Sequence, residues 1–263
     1  MDFSLTEEQA AFLDAARSFA RERLAPNAAR WDAEGIFPKD VIAEAGEMGF
    51  CGIYCAEDIG GLGLSRLDAS IVFEALAAGC TSTTAFITIH NMATWMISTW
   101  GQPGLRQEWG PALTSGRKLA SYALTEPGAG SDAASLRTSA RRDGDSYVIA
   151  GGKVFTSGAG DTDILMVMAR TGGEGARGIS AFAVPADLPG ISFGRKEAKM
   201  GWNSQPTRAV NFDGVRVPAE YRLGEEGEGF KIAMRGLDGG RINIASCSVG
   251  TAQAALEAAR RHL

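Results

Sequence analysis

At 263 residues, with 45% hydrophobic and 22% charged residues, the chain has room for one large domain or two ordinary ones and the composition of a soluble globular protein. Its formal net charge of −5, with both signs mixed along the chain, offers no basic surplus for nucleic acid. Only two histidines, His90 and His262, and four cysteines without CxxC pairing argue against a histidine-built metal site, a Ser-His-Asp triad or a zinc or redox CxxC site.

The opening MDFSLTEEQAAFLDAARSFARERL is amphipathic and mixes acids with arginines, unlike a secretory signal or an organelle transit peptide, so a cytoplasmic protein is expected, its cysteines reduced core thiols. Thr6 and Gln9 have capping-box spacing, and Phe12, Ala16, Phe19 and Ala20 then recur at helical intervals. Pro26 is expected to close or kink that helix. Pro38 suits a first helical position, with Val41, Ile42 and Ala45 on one face and Gly49 at the stop. IGGLGLS, from Ile59, reads as a loop ending on Ser65, the cap of a helix that runs to Ala78. Residues 83–100 are apolar most of the way round, as a central helix should be; His90, Asn91 and several hydroxyl residues argue against a membrane span. A shorter helix ends at Gly116.

From about Lys118 the period changes. KLASYALT, DSYVIAGGKVFTS, DILMVMAR, ISAFAVP and TRAVNFDGVRVP are strand-like runs, and Asp143-Gly144 marks a hairpin between two of them. No helices of 10–15 residues separate these runs, which excludes a doubly wound parallel sheet and predicts an antiparallel β unit ending near Arg222. Helical periodicity returns at 230–237 and 242–263, with GLDGGR between or across them. The last helix carries no stop signal, so the sequence reads as cut short.

The stretch at 122–132, YALTEPGAGSD, invites a nucleotide-binding reading. Gly128, Gly130 and Ala133 match G-x-G-x-x-A after a strand, but a Rossmann turn must open a helix, and only SDAASL precedes the next strand, TSARR. There is no Walker lysine and no G-x-S-x-G elbow. On its own the loop also reads as a β-turn with a surface serine.

TEPGAGSD resembles the signature of the acyl-CoA dehydrogenase family. GGKVFTSGAGDTDILMVMAR resembles that family's segment alongside the flavin, RGLDGGRINIASCSVG resembles the opening of its C-terminal domain, and KMGWNSQPTRAV looks closest to its short branched-chain members. The resemblance covers essentially the whole chain and implies an α+β fold: an all-α domain at 1–117, a middle antiparallel β-barrel-like domain at 118–223, and the beginning of a C-terminal four-helix domain at 224–263. It implies FAD as cofactor and α,β-dehydrogenation of an acyl-CoA, isobutyryl-CoA-like, in valine or fatty acid breakdown. It further implies an electron-transferring flavoprotein as acceptor and a homotetramer, with neither metal, nucleic acid nor membrane involved.

Residue by residue, the resemblance places Tyr122, Leu124, Thr125, Gly130, Ser131, Phe155, Thr156 and Ser157 at the cofactor. Ser131 would also face the thioester arm, and Asp238, Gly239, Gly240 and Arg241 the substrate, with Arg241 supporting the catalytic centre. The family commonly has Trp where Phe155 stands and Thr where Ser157 stands, so Phe155 keeps a flat face without an N–H. The family's glutamate base and its RxxFG segment are expected beyond Leu263, leaving these residues inactive alone; Glu126 reads as structural. Two other readings stand: a naturally shortened relative acting as a binding or assembly subunit, or a related flavin oxidase or monooxygenase.

Overall fold

The computed structural model describes residues 4–263, so the first three residues of the leading segment lie outside the described residues. Helix α1, Glu7–Phe19, starts on a reciprocal cap: the Gln9 amide donates to Thr6 Oγ1 and the Thr6 amide to Gln9 Oε1, each at 3.1 Å. Pro26 does not close this helix. A π-helical turn, Ala20–Leu24, leads directly into α2, Ala25–Glu34, and Pro26 stands in its first turn, where no backbone N–H is needed. Helix α3, Lys39–Glu47, buries Val41, Ile42 and Ala45, and the chain leaves it through Gly49 at φ 82. Ser65 and Asp68 form a second capping box at the start of α4, Arg66–Ala77. Helix α5, Thr81–Trp100, is buried on nearly every side, and α6, Pro103–Thr114, follows it.

The sheet has eight strands: β1 Ala120–Ala123, β2 Ser139–Asp143, β3 Ser146–Ser157, β4 Ile164–Arg170, β5 Ile179–Pro185, β6 Ile191–Phe193, β7 Thr207–Pro218 and β8 Arg222–Leu223. Their order is β6-β7-β3-β2-β4-β5-β8, with β1 beside β4. Five pairings are antiparallel, including the β2–β3 hairpin turned at Gly144. Two are not: β1 runs parallel to β4, and β2 meets β4 in parallel at Ser139. The sheet is therefore mixed rather than purely antiparallel. A parallel neighbour needs a long crossover, and here the loop after β1 together with the β2–β3 hairpin supplies it.

Strands β4 and β5 are buried almost throughout because both faces are covered. Met166, Met168, Ala181 and Ala183 pack towards Met92, Ile97 and Ile232 of the helices. Their neighbours Leu165, Val167, Phe182 and Val184 join a second core with Tyr147, Ile149, Val210 and Val215 of β3 and β7.

Residues 229–262 form one helix, α7, Gly229–His262, which runs unbroken through GLDGGR. Its glycines clear neighbours rather than end it. A Cβ at Gly236 would meet Met96 Cε at 2.3 Å, and one at Gly250 would lie 2.0 Å from the Glu74 carbonyl oxygen of α4. Gly250→Ala is therefore expected to destabilise the fold by about 1–3 kcal/mol, although alanine favours a helix by about 1 kcal/mol over glycine. Urea unfolding measures this; an unchanged or raised midpoint would show that α4 and α7 do not touch there.

All four cysteines are buried free thiols. Among the described residues no helix is long and apolar enough to cross a membrane, and no cluster of three or more His, Cys, Asp or Glu could hold a metal ion.

Candidate functional site

A cavity of about 510 Å³ opens where the ends of β1 and β3 meet α5 and α7. Strand β1 and the loop after it contribute Tyr122, Leu124 and Thr125, and the end of β3 contributes Val154, Phe155 and Ser157. One stripe of α5, Thr88, Ile89 and Met92, forms a wall. Helix α7 closes the opposite side with Leu237, Gly240, Arg241 and Ile244, one turn apart as helical geometry requires.

The cavity thus gathers Tyr122, Leu124, Thr125, Phe155, Ser157, Gly240 and Arg241. Other predicted site residues lie outside its lining. Thr156 is buried behind it; Gly130 and Ser131 are exposed on the loop; Asp238 is exposed and accepts a bond of 2.7 Å from Arg241 Nη1; Gly239 abuts the Arg66 guanidinium. That Asp238–Arg241 pair is largely solvated, so it orients Arg241 more than it stabilises the fold.

Strand β3 reaches the site through an irregular end. Its register with β7 breaks between Lys153 and Thr156, and Phe155 takes φ 56, a left-handed conformation that strains a residue with a Cβ. Such strain costs on the order of 1–3 kcal/mol and persists where the surroundings enforce it. Here it turns the Phe155 ring outward, 66% exposed, at the cavity wall.

Among the described residues several buried polar atoms have no hydrogen-bond partner: Oη of Tyr122, a residue that lines the cavity, and Thr156 Oγ1 and Gln205 Oε1. An unsatisfied buried hydroxyl costs roughly 1–3 kcal/mol, so a ligand or water that meets it is favoured. Burial also pushes the Tyr122 phenol above its ordinary range, keeping it a neutral donor. Ser157 Oγ accepts a long bond of 3.4 Å from Gln205 Nε2, which leaves its own O–H free to donate. Gly128 and Gly130 have open space where a Cβ would stand. A flat aromatic group with hydrogen-bonding edges suits this lining: an exposed ring, apolar walls and hydroxyl donors at one end.

The loop is held from below by a buried ion pair. Lys153 Nζ donates to Glu126 Oε1 at 2.8 Å and to the Leu124 carbonyl at 3.1 Å. The Glu126 carboxylate also accepts from the amides of Arg137 at 2.7 Å and Thr138 at 2.9 Å. Burial alone would raise the Glu126 carboxyl, but the bonds from Lys153, Thr138 and Arg137 outweigh it and hold it below the usual carboxylate range. Burial pushes Lys153 down to about 8 against the pull of Glu126. Glu126 is thus built into the loop; it is absent from the lining of this cavity and borders the adjoining one with Lys153.

The α5 wall, Val154, Leu237, Ile244, Lys153 and Gln205 escaped the sequence reading. For α5 no signal existed, since that helix is buried on nearly every side and its pattern singles out no one face. For Lys153 one did: it continues the inward alternation of Tyr147 and Ile149.

Comparison with known proteins gives these residues a context. Residues 6–117 match the acyl-CoA dehydrogenase N-terminal domain and residues 121–215 the acyl-CoA dehydrogenase middle domain. Mitochondrial isobutyryl-CoA dehydrogenase of Bos taurus is 55% identical over 259 residues, which is 98% of this chain and 62% of that protein. Mitochondrial short-chain specific acyl-CoA dehydrogenase of Rattus norvegicus is 40% identical over 94% of this chain and 60% of its own length. The structure of butyryl-CoA dehydrogenase from Megasphaera elsdenii superposes with a TM-score of 0.93 at 38% identity, covering 98% of this chain and 69% of that one. The chain therefore spans about three fifths of the curated relatives it matches, 62% of the bovine protein.

Proposed function

This chain belongs to the acyl-CoA dehydrogenase family, and from that premise we propose that it carries the cofactor and thioester site of an FAD-dependent enzyme that desaturates a short branched-chain acyl-CoA, isobutyryl-CoA-like, in valine or fatty acid breakdown. What carries this reading is the meeting of three distant segments in one cavity: Leu124 and Thr125, Phe155 and Ser157, and Gly240 and Arg241. FAD, when bound, supplies a two-electron acceptor. The chain's own residues hold and orient: Tyr122, Leu124 and Thr125 at one edge, Phe155 against the flat face, and Ser157 as a hydroxyl donor, with Thr156 behind. Gly130 and Ser131, on the exposed rim, serve the parts of cofactor and thioester that extend outside the cavity. Gly240 and Arg241 form the substrate side, with Arg241 as its cation; Asp238 and Gly239 serve it from outside the lining, Asp238 by accepting from Arg241 and Gly239 by giving α7 room beside Arg66. An electron-transferring flavoprotein is the acceptor this reading calls for.

We also propose a homo-oligomer, a tetramer. Ile242, Val249 and Leu256 stand exposed at seven-residue intervals along α7, each followed three residues on by an exposed alanine, Ala245, Ala252 and Ala259. Such a seam has the spacing of a packed helical interface. The protein expressed from its complete gene, run by size exclusion at micromolar concentration, tests this; a compact monomer would count against it.

The functional reading is tested on that same protein by FAD content and by dye reduction with isobutyryl-CoA. Ser157→Ala should shift the flavin's spectrum and midpoint potential by the equivalent of one hydrogen bond, about 0.5–1.5 kcal/mol. Absence of FAD binding, or a Ser157→Ala spectrum superimposable on wild type, would remove the reading's support.

A further inference from the structure

Neither Lys153 nor Glu126 lines the first cavity, although both border an adjoining one of about 540 Å³ with Gly128 and Val154, and their bonds reach both chain segments that build the proposed site. Lys153 is fully buried and Glu126 nearly so. The ammonium holds the Leu124 carbonyl on one side of Thr125 and the Glu126 carboxylate on the other, while the Val154 amide donates to the Thr125 carbonyl at 2.9 Å. Three consecutive residues of the loop are thereby tied to two consecutive residues of β3. The same oxygen, Oε1, also accepts from the Thr138 amide and Oε2 accepts from the Arg137 amide, so one side chain staples the start of the glycine loop to its end.

Strand β3 is shaped to allow this. Its register with β7 shifts once before Lys153, at Gly151 with φ 138, and again after it, at Phe155 with φ 56. Between the two irregularities the lysine points into the protein and the next odd-numbered residue, Phe155, points out. A buried ion pair is a poor source of stability, since apolar residues of similar shape often do as well or better, but it demands one geometry.

We infer that Lys153 and Glu126 are positioning residues, a preformed staple that sets Leu124, Thr125 and the glycine loop for the cofactor. The inference rests on the FAD-binding reading above. Its test compares Lys153→Met, Glu126→Gln and the double variant in the holoenzyme expressed from the complete gene, by FAD dissociation constant, visible flavin spectrum and unfolding midpoint. Each single variant strands a buried group and lowers both stability and FAD affinity. The double variant strands no charge, so it is more stable than either single. Its FAD affinity nonetheless stays about tenfold weaker than wild type, because methionine cannot donate to the Leu124 carbonyl and a glutamine oxygen serves only one of two amides.

A double variant with wild-type FAD affinity and spectrum would make the pair merely structural and overturn the inference. If the double variant does not fold, amide hydrogen exchange on the wild-type apoprotein decides. Protection of Arg137 and Thr138 before FAD is added supports a preformed staple, and protection that appears only with FAD overturns it. Wild-type protein that binds no FAD would sink the functional reading itself, a result separable from the others.

Discussion

Purified as these 263 residues alone, the protein is expected to give no turnover of isobutyryl-CoA in a dye-reduction assay, with or without added FAD. The reason lies in the cavity: its lining includes hydroxyls, apolar side chains and Arg241, and no carboxylate. Removing an α-proton from a thioester needs a positioned base, and such groups typically contribute about 10²–10⁴-fold. The acids nearest in sequence to the lining are otherwise engaged. Asp238 is exposed and paired with Arg241, and Glu126 is spent on Lys153 and two backbone amides. On the proposed reading, the base comes from residues that do not line this cavity. Comparison with the protein from the complete gene, with flavin content measured in both, separates two cases. Activity in the longer protein alone supports the dehydrogenase reading; inactivity in both, with FAD bound, favours the binding-subunit reading. Turnover by the 263 residues at the longer protein's rate would mean that an acid here moves into the cavity, and Glu126→Gln would be the first variant to examine.

How far the fold could be read from residues depended on how local each signal was. The Thr6–Gln9 capping box, the Ser65 cap and the Asp143-Gly144 hairpin depend on contacts within a few residues, and each stands where it was expected. The parallel place of β1 beside β4 depends on a partner some forty residues on, as Ala120 against Ile164 shows, and strand periodicity says nothing about partners. The glycines of GLDGGR resemble a helix break, yet Gly236 and Gly239 are small because Met96 and Arg66 occupy the space a Cβ would need. Pro26 resembles a stop, and a π-helical turn before it absorbs the mismatch. Around the cavity, Tyr122, Leu124, Thr125, Phe155 and Ser157 come together as the motifs suggest, whereas Gly130, Ser131 and Thr156 of the same motifs stand outside the lining. Met92 was not legible, because α5 is buried on nearly every side and only the approach of α7 distinguishes one of them.

The second large effect expected is acid destabilisation centred on His90. This side chain is wholly buried and joins three elements: its Nδ1 accepts from the Ala120 amide at 3.0 Å, which places the ring proton on Nε2, directed at the Leu113 carbonyl at 2.9 Å. Helix α5 is thereby tied to the end of α6 and to the first residue of β1, two residues before Tyr122. Burial pushes the imidazole down to about 4, more strongly than Leu113 and Asp163 pull it up. Protonation would put a second N–H against the Ala120 amide, two donors facing each other. Because the folded value lies below the unfolded 6.5, the unfolded chain takes up the proton first. The stabilisation is complete above pH 6.5 and is lost as pH falls through the window down to about 4. At about 1.4 kcal/mol per unit, the loss across that window is roughly 3 kcal/mol. The carboxylates held low, Asp68, Glu126 and Asp143, begin to lose their contribution only as pH falls through their ordinary values of 3.8 to 4.5, so the part of this limb above about pH 5 belongs to His90. His262, the other histidine, is exposed at the end of α7. Urea midpoints taken from pH 7 to 4 should therefore slope steeply in the wild type. In His90→Asn, which cannot titrate, the slope should be shallow at a lower plateau. Equal slopes in both proteins would mean that the acid sensitivity lies elsewhere and that the link between α5 and β1 is not what holds Tyr122 in place.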